Sequence, residues 1–108
     1  MPWLKTRAQT DESWAVRSAA VTALARGWGA LPELYEVFSD VVCNDPFERE
    51  ESWQDNPRQI ALKALLTHHR HQPQTLDLLR DRTAHDPDEQ LRQWAQKQLE
   101  QLEIKNGG

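Results

Sequence analysis

This chain repeats itself, and no other feature constrains its fold as strongly. Asp86-Pro-Asp-Glu-Gln-Leu-Arg-Gln-Trp-Ala-Gln-Lys-Gln-Leu99 has a looser copy in Asp11-Glu-Ser-Trp-Ala-Val-Arg-Ser-Ala-Ala-Val-Thr-Ala-Leu24. In both, an Asp able to cap a helix is followed six residues later by Arg, then by small and apolar residues at helical spacing. A third copy opens at Asn56, and its Arg58, Ala61, Leu62 and Leu65 fall 41 positions after Arg17, Ala20, Val21 and Leu24. The intervening segments repeat as well: residues 32–46 lie over residues 73–87 at the same offset of 41, so each unit is two helices. Residues 3–11 lie over residues 78–86 at an offset of 75, so the chain opens on the last turns of a helix and reads as an excised piece of a longer array.

Composition excludes most alternatives. The 108 residues suit one domain rather than two independent ones. Ala, Leu, Glu, Gln and Arg are abundant, and no stretch alternates with the period of a strand, which leaves an all-α fold. No apolar run approaches the roughly 18 residues of a membrane helix, and the N-terminus lacks the pattern of a signal peptide. The single Cys43 cannot form an internal disulfide; at the end of an apolar helix face it is expected as a packed thiol, which favours a cytoplasmic origin.

The pattern predicts helices over about 2–9, 13–26, 32–43, 56–68, 73–84 and 87–103, with a frayed tail at 105–108. Trp3, Trp14 and Trp94 sit in the repeat frame and are expected in the core, whereas Ser18, Thr22 and Arg26 are expected to point outward. Gly27 and Gly29 are expected to end the second helix around Trp28. Asp11 to Asp45 spans 34 residues but Asp45 to Asp86 spans 41, so seven residues are inserted in the middle unit, at 47–53. The segment 44–55 sets five acids, Asp45, Glu48, Glu50, Glu51 and Asp55, against Arg49, a net −4 that equals the charge of the whole chain. The insertion therefore reads as an exposed acidic loop carrying Phe47 and Trp53.

Paired helices of this length, a Pro opening the first, an Asp-Pro in the turn and an Asp-x5-Arg leading into an Ala-rich second helix resemble HEAT repeats. Leu79-Arg-Asp-Arg-Thr-Ala-His-Asp86 with Leu91-Arg-Gln-Trp-Ala95 is similar to the bilin-lyase type of these repeats. With the Ala-Leu-Ala-Arg-Gly-Trp28 helix ending, the wording is more similar to arrays C-terminal to the nucleotide-binding domain of bacterial NACHT-type signalling NTPases. The resemblance implies a right-handed α-α superhelix of about six helices, the first truncated, in a single repeat domain over 1–104. Its units would be a truncated repeat at 1–28, a repeat at 29–71 holding the insertion, and another at 72–104. It also implies a concave side lined by the second helices, where Ser18, Gln59 and Gln93, then Thr22, Lys63 and Lys97, form a polar, faintly basic stripe. Asp11, Asp45 and Asp86 with Arg17, Arg58 and Arg92 would form a ladder between successive repeats.

No catalytic set emerges, and neither a cofactor nor a metal is expected. His68, His69 and His71, with His85 elsewhere, have no cysteine or carboxylate in a matching motif, and basic groups at a helix C-terminus suit its dipole. Gly27-Trp-Gly29 lacks the helix-start context of a phosphate-binding loop. A groove of net charge near zero gives little hold on phosphates, so nucleic acid is not the expected ligand. The expected function is a non-catalytic protein-interaction or sensor scaffold, a fragment of a larger signalling ATPase. The alternative is a module of a bilin lyase or DNA-repair-type enzyme that binds a chromophore or nucleic acid. The expected partner surfaces are the insertion, through Phe47, Glu48, Glu50, Glu51 and Trp53 against a basic protein, and the Thr22, Lys63, Lys97 stripe. Self-association is expected through the N-terminal flank of Trp3, Leu4, Trp14 and Val16.

Overall fold

A computed structural model describes the backbone of residues 2–107 and the side chains of residues 2–102. It contains six helices: α1 (Pro2–Thr10), α2 (Trp14–Trp28), α3 (Pro32–Asn44), α4 (Pro57–His68), α5 (Pro73–His85) and α6 (Glu89–Gly107). There is no strand among the described residues, so the chain is all-α as its composition requires. The tail at 105–108 falls on residues whose side chains lie outside this description.

Local chemistry sets the helix starts. Ser13 caps α2 by accepting from the Val16 amide, and Asn56 caps α4 by accepting from the Arg58 amide. Prolines 32, 57 and 73 occupy first-turn positions, where a missing N–H costs nothing. Asp11 does not cap α2; its carboxylate instead accepts from the Ser13 amide and turns the chain one step before the helix begins. The α2 helix runs through Gly27 to Trp28, and Gly29 is right-handed, with φ −52°. Gly29 is needed for space rather than for conformational freedom, since a Cβ there would fall against the Ala25 carbonyl and the His68 ring.

The helices pair as α1 with α2, α3 with α4 and α5 with α6. Between the first two hairpins, α1 lies beside α3 and α2 beside α4; the third hairpin meets the second most closely through α4 and α5. The slab is 19 Å in its shortest dimension, about two helix diameters. Its core runs through both layers, from Ala8, Val21 and Leu24 through Leu34, Phe38, Val42, Leu62 and Leu65 to Leu79, Leu91 and Ala95.

Several expected core positions differ. Trp3 is 65% exposed and Val16 40%, because no described helix covers the outer flank of α1 and α2. Trp14 and Trp94 are half-buried, Trp94 against the core and Trp14 against the rings of Phe47 and Trp53. Cys43 is exposed, one position past the buried stripe of Val37, Phe38, Val41 and Val42. His69, which in the sequence reads as a charge at a helix end, is 2% exposed: its Nε2 lies 2.7 Å from the Gly29 carbonyl and its ring borders Tyr35 and Phe38.

Candidate functional site

The ladder residues make the same bonds in each unit. Arg17 Nη1 donates to the Asp11 carbonyl at 2.8 Å, Arg58 Nη1 to the Asp45 carbonyl at 2.8 Å, and Arg92 Nη1 to the Asp86 carbonyl at 2.6 Å. The remaining prongs reach the next unit. Arg17 forks onto both Asp45 oxygens at 2.8 and 3.3 Å, and Arg58 onto both Asp86 oxygens at 2.9 and 3.0 Å. Each pair is 28 residues apart, and the side chains of Arg58 and Asp86 are 3% and 0% exposed. Each Asp also receives the amide two residues on, from Ser13, Phe47 and Asp88 in turn. This geometry locks neighbouring hairpins in register, and both oxygens of each inner carboxylate are occupied.

The insertion is folded rather than loose. Phe47 is 3% exposed, with its ring edge-on to Trp14 at 5.8 Å; it fills the space beside α2 and offers no surface to a partner, contrary to its reading as a contact residue. Arg49 organises the rest of the loop. Its Nε and Nη2 reach the Asp88 carboxylate at 3.0–3.2 Å, and its Nη1 donates to the carbonyls of Glu51, Ser52 and Gln54. The Gln54 side-chain oxygen accepts from the Glu50 and Glu51 amides, the Ser18 hydroxyl donates to the Asp55 carbonyl, and Asn56 Nδ2 donates to Asp88. One loop thus ties the first unit, through Trp14 and Ser18, to the third, through Asp88. Burial of Asp88 pushes its pKa up, but the bonds from Arg49 and Asn56 outweigh this and hold it below the usual carboxylate value.

What the loop leaves outside is Trp53, 70% exposed with its ring 6.0 Å from that of Trp14, together with the exposed residues Glu48, Glu50, Glu51 and Asp55. None of these four carboxylates makes a salt bridge among the described residues. With Pro87, Glu89 and Gln90 at the start of α6, the segment 47–52 borders an open cleft of about 590 Å³.

The second expected surface is only partly assembled. Thr22 and Lys63 share a cleft of about 490 Å³ between α2 and α4 with Arg26, Asp55 and His68, while Lys97 is exposed on α6 and stands apart from it. Ser18, expected to point outward, is 5% exposed because its hydroxyl is spent on the insertion, and the Thr22 hydroxyl turns back to the Ser18 carbonyl. No group of three potential metal ligands occurs among the described residues.

The residues that sequence reasoning missed are Arg49, Asp88 and His69. Arg49 carries a usable signal, being the one cation in an otherwise acidic segment. Asp88 stands two residues past a ladder Asp and reads from the sequence as part of a helix start.

No characterised protein and no solved structure matches the chain. A family model of HEAT repeats matches residues 1–100, the span of the stacked hairpins and their aspartate–arginine junctions, and the chain belongs to the HEAT-repeat family.

Proposed function

We propose that this chain is a cytoplasmic protein-recognition scaffold whose partner-facing edge is the insertion, presenting Trp53 among Glu48, Glu50 and Glu51 to a basic protein surface. HEAT repeats generally mediate protein–protein interaction and are typically non-catalytic. One observation carries the reading: an indole that is 70% exposed on a loop whose backbone is pinned by Arg49 and Gln54. A preordered loop loses little conformational entropy on binding, and an exposed aromatic among unpaired carboxylates combines an anchor with electrostatic steering. The resemblance to arrays of NACHT-type signalling NTPases supplies the context, an interaction segment of a larger signalling ATPase.

Selection of peptides from a random display library on the immobilised chain tests this. Enriched sequences should be rich in Lys and Arg and should bind more weakly as salt rises. Trp53→Ala should weaken them about tenfold, as truncating an interface anchor does. Enrichment of acidic sequences, or indifference to Trp53→Ala, would move recognition to the Thr22, Lys63 and Arg26 cleft.

A further inference from the structure

Past Trp53 the insertion delivers the chain to the mouth of a groove. Asp55, whose carbonyl accepts from the Ser18 hydroxyl, lines the cleft between α2 and α4 just before α4 begins. Along that cleft Thr22 and Lys63, then Arg26 and Thr67, hold equivalent places on the two helices, 41 residues apart. Both walls lie within the array. The floor is apolar, with Ala25 and Ile60 half-buried and Ala64 buried. The hydroxyls of Thr22 and Thr67 donate to the Ser18 and Lys63 carbonyls of their own helices, so neither requires a partner from outside.

The far end of the groove is cationic. Arg26 and Lys63 are exposed, and His68 is half-buried with its ring set against Gly29. None of the three is ion-paired among the described residues. The groove therefore changes sign along its length, from Asp55 and the loop acids Glu48, Glu50 and Glu51 to Lys63, Arg26 and His68. A partner basic throughout is repelled at the far end, and an acidic one at the loop. A nucleic-acid strand, with a phosphate at every step, meets that second repulsion.

We propose that the partner held at the Trp53 edge continues into this groove as an extended peptide of two signs, with Lys or Arg beside Trp53 and an Asp or Glu reaching Lys63 and Arg26. The inference rests on the recognition proposed above and specifies its ligand. Lys63 and His68 stand 8 and 13 residues past Asp55, about 12 and 20 Å at the helical rise, a span that extended chain covers in about four to six residues. The residues between the two charges lie over Ala25, Ile60 and Ala64, which favours small and apolar side chains there.

The test is a display selection on the wild type, on Trp53→Ala and on the double variant Arg26→Glu, Lys63→Glu, followed by titration of synthetic copies of the enriched peptides. Wild-type sequences should align with an acidic residue about four to six positions from the basic one. Replacing that acid by Ala should weaken binding to the wild type about three- to fivefold, the range of an exposed ion pair, and should change nothing on the double variant. On the double variant the selected residue at that position should switch to Lys or Arg. Circular dichroism checks the fold, and should the double variant lose its helices, Lys63→Glu alone must remove the preference for the acid. Basic peptides that need Trp53 but show no acidic position would overturn this inference and leave the Trp53 edge standing. Peptides indifferent to Trp53→Ala would overturn both. A single-stranded oligonucleotide, or a second copy of the chain, that binds the wild type and is released by Arg26→Glu, Lys63→Glu would give the groove another occupant and overturn the inference as well.

Discussion

The residues that matter most to this chain are buried ions whose partners lie on another hairpin. Arg58 holds two carbonyls, Asp45 and Phe47, and both oxygens of Asp86, so removing either member leaves a desolvated charge and several unmet polar groups. Asp86→Asn keeps the shape but breaks the charge match, and Arg58→Ala removes the fork outright. Each should cost about 3–5 kcal/mol in urea unfolding, the range for breaking a buried pair by deleting one partner. Lys5 and Glu33, also bonded at 3.0 Å, are a contrast: their side chains are 27% and 54% exposed, and Lys5→Ala should cost less than about 1 kcal/mol. Asp88 adds a pH signature. Its folded pKa lies below its ordinary value, so the carboxylate stabilises the fold at pH values above about 4, the unfolded value. That contribution is lost as pH falls through the lower folded value. Stability of the wild type should therefore decline below about pH 4 more steeply than that of Asp88→Asn, as read by thermal melts across an acid series.

At the scale of elements, the helices are legible in the sequence because each obeys a local rule, whereas the insertion depends on contacts distant in the chain. The prolines and the apolar stripes mark the helices with errors of a few residues at the ends, although the cap of α2 is Ser13 and not the expected Asp11. The Arg17–Asp45 and Arg58–Asp86 spacing is visible because the repeat places both members at a constant separation of 28. The insertion has no second copy to compare with, so its charge can be read from the sequence but its fold cannot. Arg49 meets Asp88, 39 residues away, and Phe47 turns in to meet Trp14, and neither contact is dictated by a period. By loop entropy alone, residues 47–53 are a surface segment whose removal changes little, since added loop length is cheap. The structure reverses that expectation. Deleting 47–53 removes a buried Phe and, with Arg49, the bonds to Asp88. Phe47→Ala alone should cost about 3–5 kcal/mol by urea or thermal unfolding, while Trp53→Ala should be nearly neutral.

For the molecule as a whole, stability in a stacked array is close to a sum over hairpins and the junctions between them, and here the two junctions differ. The first hairpin meets the second along both layers, α1 on α3 and α2 on α4; the third is held most closely through α5 against α4. Among the described residues fewer apolar side chains are buried on it: Leu79 on α5, with Leu91 and Ala95 on α6. What compensates is polar, namely Arg58 on Asp86 and the Arg49 and Asn56 bonds to Asp88. Such a hairpin should open as a unit before the rest unfolds. In native-state hydrogen exchange, the amides of α5 and the first turns of α6 should share one opening free energy, below that of α2 and α4. Asp88→Asn should lower that shared value while leaving the α2 amides almost unchanged, because the lost bonds lie at one junction only. Uniform loss of protection across all six helices would instead mean that the insertion couples the hairpins into one cooperative unit. In that case the loop would be the element that makes three repeats unfold together.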